Sequence, residues 1–351
     1  MAIGDETLTL IYGMRVAMLK PVDATAQAII RAWGVAWNEI AGEWDAALAE
    51  LVSLSKDGKW PNRAQIARAK RAQRAMAITR DALQQLADEL PITVTQVLPR
   101  MTADAADWAR RITASQYPAQ AGTAAEVIAT FSKVDDAALS AIVKRTTQQV
   151  TSLARPLSAQ AERAMNASLV RGIALGENPR TAARRMLERV HGEFDGGRNR
   201  ALVIARTELL DAHRAGGMAQ DKANADVLRG WQWVSALDTR TCPSCWARHG
   251  ETFALDVPGP DDHQQGRCAR VPLAKSWRDL GFDVDEPEST VPDARAKFAG
   301  LPREQQVAIM GKARLDLLDQ GKVAWSDLAQ KRSTAGWRDS WAPTPVKDLA
   351  A

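Results

Sequence analysis

Along residues 23–53 the apolar positions Ile30, Trp33, Trp37, Ile40, Trp44, Leu48 and Leu51 recur every three or four residues, which puts them on one face of a helix. The run Gly58-Lys59-Trp60-Pro61-Asn62 interrupts this pattern, and a second helix is expected to about Leu90, stopped by Pro91. Its apolar side is Ile66, Ala69, Met76, Leu83 and Leu86, and its polar side opens with Arg63, Arg68, Lys70, Arg71 and Arg74 without an acid among them. Shorter helices are expected around 103–115, 135–153 and 158–175. A break at Gly176-Glu177-Asn178-Pro179 follows, then a helix over 181–190. The glycines between 192 and 197 predict a loop, and a longer helix over 199–223 carries Ile204-Ala205-Arg206-Thr207-Glu208.

The period changes at Gly230. Trp231-Gln232-Trp233-Val234-Ser235 alternates as a strand does, Glu251 to Leu255 suits its partner, and the turn Cys242-Pro243-Ser244-Cys245 lies between them. A helix from Pro302 to Gln320 follows, with Val307, Met310, Leu315 and Leu318 on its apolar side and Gly321 as its stop. The expected fold class is mainly α with a small antiparallel β-hairpin module (α+β). Its expected organisation is a helical, partner-binding arm over 1–157, a compact domain over 158–340 with a Cys/His clasp in the hairpin region 230–273, and a flexible tail over 341–351, where Pro343 and Pro345 fall.

Composition narrows the function classes without choosing one. Hydrophobic residues are 46% of the 351, enough for real cores, and a net charge of +4 permits nucleic acid without pointing to it. A basic face such as Arg63 to Arg74 can follow a phosphate backbone, although a charge run of this kind is more often simply solvated, and no aromatic residue interleaves with it. No apolar run is long enough to span a membrane, and Met1-Ala-Ile-Gly-Asp-Glu6 does not read as a leader, so a cytoplasmic chain without a membrane partner is expected. In that compartment three cysteines are read for metal before disulfides.

All three cysteines fall in one short segment with a histidine: Cys242-x-x-Cys245, then His263 and Cys268. A CxxC turn lets two thiolates meet one ion, and the His/Cys pair would complete a tetrahedral site with no open position for water, the pattern of structural zinc. His249 is an alternative to His263 as ligand. Packed thiols without metal and a redox Cys242/Cys245 pair are the competing readings. A nuclease constellation of Asp238, His249, Glu251 and His263 is a further one, although the helix that such a module needs is not apparent. No Walker loop, GxSxG elbow or HExxH helix occurs.

The order Ala205-Arg206-Thr207-Glu208, Trp231-x-Trp233, Asp238 to Cys245, His249-Gly250, His263 and Arg267-Cys268 resembles the phage Mu F-like head-morphogenesis (minor head) proteins of tailed bacteriophages. The resemblance extends over about 158–328, with its specific part from Arg206 to Cys268. It departs at Gly266, where the family often has a cysteine. The resemblance implies a non-enzymatic protein of the virion, near the portal, assembled in the host cytoplasm. Its implied partners are the portal protein, the major capsid or scaffolding protein and the packaged double-stranded DNA. Trp33, Trp37 and Trp44 would then form the docking seam, and Arg206 and Glu208 an ion pair fixing the helix to the hairpin.

Overall fold

The computed structural model describes residues 3–56, 61–163 and 179–349. Helices come first, among them α1 (Asp5–Ser53), α2 (Arg63–Arg68), α3 (Lys70–Thr95), α4 (Leu98–Ala114), α5 (Ala124–Thr130), α6 (Asp136–Ala154) and α7 (Pro179–Ala223). They are followed by β1 (Leu228–Val234), α8 (Pro243–Arg248), β2 (Thr252–Phe253), β3 (Ala269–Ala274), α9 (Ala294–Ala299), α10 (Arg303–Met310), α11 (Lys312–Asp319), β4 (Ala329–Arg332), β5 (Ser340–Pro343) and α12 (Val346–Leu349). The protein is thus mainly α with two small antiparallel sheets, ordered β2-β1-β3 and β4-β5. Among the described residues no helix is long and apolar enough to cross a membrane.

Two compact units form: residues 1–21, 98–144 and 209–351, and residues 22–97 and 145–208. Each draws on both sides of residue 158, so the expected division into an arm over 1–157 and a body over 158–340 is not the division that the contacts make.

Several boundaries differ from the sequence reading. α1 begins at Asp5 and runs through Pro21, and α3 runs through Pro91. A proline forfeits one helical hydrogen bond, but buried Met18 and Val22 flank Pro21, and buried Leu90 and Val94 flank Pro91, so packing outweighs the break. The expected 192–197 loop is instead part of α7. A Cβ at Gly197 would sit 2.7 Å from the Trp33 indole, so glycine there serves close packing of a ring on a helix. Gly311, with φ of 73°, divides the expected 302–320 helix into α10 and α11. The breaks expected at 58–60 and 176–178, and most of the helix expected over 158–175, lie outside the described residues.

The second unit is helical. Trp33 and Trp44 of α1 are 3% and 0% exposed, and Trp33 meets Phe194 of α7 edge-on at 4.9 Å. Trp37 stacks on His191 at 4.1 Å, and the buried Trp44 Nε1 donates to Thr79 Oγ1 of α3 at 3.0 Å. The seam expected to face a partner therefore faces the chain's own interior, since burial against α3 and α7 gives these rings the area a partner would otherwise supply.

In the first unit β1 is sandwiched. Val234 joins Ala269, Val271 and Leu273 of β3 against Ile3 just before α1, Ile11 and Met14 of α1, and Ile112 of α4. The opposite face carries Trp231 and Trp233, which pack with Cys245, Cys268 and Phe253. β3 is buried along its whole length, which hides the alternation that marks a half-exposed strand, and the sequence reading missed it. The register Trp231↔Phe253 and Trp233↔Arg270 fixes both neighbours of β1. The tail expected to be loose is tied down: β5 pairs with β4, and the Trp341 N–H donates to Asp261 O at 2.7 Å.

Candidate metal centre

The turn between β1 and α8 is shaped by Asp238. Its carboxylate accepts from the Arg240 N–H and the Thr241 hydroxyl, and its own N–H donates to Thr241 Oγ1. Leu237 adopts φ of 51° at the entry to this turn. Cys242 is then the N-cap of α8, its Sγ accepting from the Cys245 N–H at 3.4 Å, and Pro243 starts the helix where a missing N–H costs nothing. One helical turn brings Cys245 beneath Cys242, buried beside Trp233.

The second pair of ligand candidates lies on the loop 262–268, which is built around one buried ion pair. Arg214 of α7 faces the fully buried Asp262, with Nη1 to Oδ1 and Nη2 to Oδ2 both 2.9 Å. Arg214 also donates to Gly266 O at 2.8 Å and Cys268 O at 3.0 Å, and Asp262 accepts from the Cys268 N–H at 3.0 Å. Asp211 binds both Arg214 and Arg338, and Arg338 donates to Asp262 O. Gly266 must be glycine in this arrangement, because a Cβ there would stand 2.1 Å from the Asp262 carboxylate.

Two triads of ligand atoms result, each with all members within 4.8 Å of one another: Cys242, Cys245 and His263, and Cys245, Asp262 and Cys268. Cys245 belongs to both. The expected quartet of Cys242, Cys245, His263 and Cys268 lines one cavity together with Arg15, Arg240 and Arg267, but its atoms fall into two overlapping groups instead of one equidistant set. Ser235 Oγ, which donates to Cys245 O, lies 3.3 Å from Cys268 Sγ and holds the shared cysteine near the last one.

Electrostatics favour the ligand form at Cys242 and oppose it at His263 and Cys245, each of which must lose a proton to coordinate. The Cys242 thiol is lowered to about 5 by hydrogen bonding from Cys245 and by His263, against the opposing pull of burial. His263 is raised to about 9, chiefly by its hydrogen bond with Cys242. Cys245 moves well above its ordinary value because it donates to its neighbours and is buried. His263 Nδ1 faces Gln264 O at 2.9 Å, and since a carbonyl only accepts, Nδ1 carries the proton and Nε2 is left to coordinate. Two thiols and an imidazole at mutual ligand distance, with a third thiol adjoining, can hold a metal ion.

The remaining sequence candidates do not converge there. His249 accepts from the Ser235 N–H through Nδ1 and is lowered to about 4 by burial, while Glu251 pairs with Arg248 at 2.6 Å. With Asp238 committed to its turn, the imagined nuclease set is dispersed. Arg206 and Glu208 stand two apart on α7 and so point in different directions. Arg206 approaches Asp23 of α1 at 3.8 Å, and Glu208 is buried. Trp231 and Trp233 are core, the Trp231 Nε1 donating to Val257 O. Of the basic face, Arg68, Lys70, Arg71 and Arg74 are exposed, and Arg74 pairs with Glu43 at 3.1 Å. The Arg63 side chain lies outside the described residues.

Asp262 and Arg214 were missed by sequence reasoning. An acid beside a candidate histidine was the available signal for Asp262; Arg214, about fifty positions upstream in a helix, gave none.

Residues 163–271 match the family model described as phage Mu protein F like protein, a stretch that contains Arg206, β1, the CxxC turn and the whole ligand loop. Neither a curated protein nor a solved structure matches the chain.

Proposed function

We propose that this chain is a minor head protein that acts in bacteriophage head morphogenesis, docking on the portal and on capsid or scaffolding protein, and that its work is binding and not bond chemistry. The observation that carries this reading is the match at 163–271, because the matched stretch coincides with the turn and loop that build the Cys/His cluster. The cluster supports a structural role. Its three cysteines are packed with Trp231, Trp233 and Phe253, and a structural zinc site needs closure where a catalytic one needs an open coordination position.

The ion proposed is zinc, held by Cys242, Cys245 and His263 with Cys268 as the fourth ligand. Soft thiolates with an imidazole suit it. When bound, it would supply a crosslink between the CxxC turn and the 262–268 loop. The protein is placed in the virion near the portal, and its proposed contact with packaged DNA falls on exposed Arg68, Lys70 and Arg71.

Mass spectrometry of purified proheads and virions, with crosslinking to the portal, tests the assembly role. Recovery in both particles at low copy number is expected, and absence from both overturns it. Incubation of plasmid DNA with the metal-loaded protein tests the non-enzymatic reading. Cleavage abolished by His263→Ala in a folded protein would replace it with a nuclease.

A further inference from the structure

The guanidinium of Arg214 is buried against the ligand loop.

Arg214 has five N–H donors in a rigid fork. It reaches Asp211 and Asp262 through Nη1, Asp262, Gly266 O and Cys268 O through Nη2, and Cys268 O again through Nε at 3.2 Å. Three of these acceptors belong to the seven-residue segment that presents His263 and Cys268. A loop that places two donors on an ion must either be ordered by the ion or be ordered beforehand, and the second case lowers the entropic cost of binding. Here protein contacts supply that order. The Cys268 N–H bonds to the same carboxylate that Arg214 clamps, and the Gly266 N–H closes the turn onto His263 O at 2.8 Å.

We propose that Arg214 is a positioning residue for the metal centre: from α7 it holds the backbone of residues 262–268 in the ligating conformation, through Asp262 and through the carbonyls of Gly266 and Cys268. The inference rests on the metal reading above and goes further, because it places the support of the site on a helix that contributes no ligand. It also accounts for Gly266. The space a side chain would fill at 266 is taken by the clamped carboxylate.

The test is cobalt(II) titration of the full-length protein, reading the thiolate-to-cobalt charge-transfer and d–d bands, with circular dichroism to confirm folding. Wild type should bind one cobalt per chain with tetrahedral bands. Arg214→Lys, which keeps the charge and loses the fork, should bind about ten- to a hundredfold more weakly, with lower charge-transfer intensity as Cys268 leaves the coordination sphere. Gly266→Ala, which displaces Asp262 and leaves Arg214 in place, should do the same. It carries the test alone if Arg214→Lys does not fold. Adding Arg214→Lys to Cys268→Ser should then change the spectrum no further. Wild-type affinity and bands in both single variants would overturn the positioning role. Absence of cobalt bands in the wild type would remove the metal centre itself, and the role of Arg214 with it.

Discussion

The interiors of the two units are held by different forces. In the second, Trp33, Trp44 and Phe194 exclude water with few polar commitments, the Trp44 indole making its hydrogen bond to Thr79. In the first, the region around the ligand loop is held by buried ion pairs, Arg214 with Asp262 and Arg270 with Asp221, set among Trp231 and the cysteines. Apolar packing degrades in proportion to what is removed. A buried polar network fails abruptly, because each partner left behind is a desolvated charge.

The sharpest test of this contrast is a pair of substitutions with similar single costs. Asp262→Ala should destabilise the first unit by about 3–5 kcal/mol, since Arg214 loses its fully buried partner and keeps only the less buried Asp211, and Trp44→Ala should cost the second about 3–5 kcal/mol through its cavity. The two should then part company. Replacing Arg214 and Asp262 together by apolar residues should restore much of the loss, whereas no second truncation near Trp44 should restore anything. Denaturant melts of the four variants measure this, and a double replacement as damaging as the sum of its parts would break the comparison.

Metal should act on the first unit alone. Free zinc at a hundred times its Kd stabilises a bound state by about 2.7 kcal/mol, or about 5–10 °C for a unit of this size. Chelation should remove that increment from one calorimetric transition. A shift spread equally over both would contradict it.

Acid should also separate the two. Burial and the neighbouring Arg214 hold His213 at about 3, against an ordinary value of 6.5, with Nε2 left without a partner. The unfolded chain gains a proton as pH falls through 6.5 and the folded one does not, so this stability is fully present above 6.5 and is lost progressively toward pH 3. At pH 4.5 the loss should be about 3 kcal/mol, and His213→Leu should flatten it, as chemical denaturation at the two pH values would measure. An unchanged slope in that variant would assign the acid sensitivity elsewhere. The smallest effect is expected at Arg74, whose pair with Glu43 is exposed. Arg74→Ala should change stability by less than about 0.5 kcal/mol.

What was legible in the sequence follows the same division. The helical face of Trp33, Trp37 and Trp44 was readable because period 3.6 survives burial on one side, although period alone could not say whose interior it faced. β1 was readable from Trp231 and Trp233, while β3 was not, since a strand covered on both faces loses its alternation. The cysteines and His263 announced themselves by residue type. Their support did not: Arg214 and Asp262 are ordinary residues until the fold brings them together across 48 positions of chain. Pro91 and the glycines of 192–197 misled for the same reason, as local preference of about 1–3 kcal/mol yields to tertiary packing.

Those glycines carry a practical consequence for making the protein sturdier. Gly192 and Gly196 are exposed on α7, and a Cβ at either would meet nothing within 4 Å, whereas Gly197 is the socket for an indole. Two of the three are therefore open sites for alanine, each able to raise stability by about 0.4–1 kcal/mol by stiffening the unfolded chain, and the third is closed to any side chain while Trp33 occupies it.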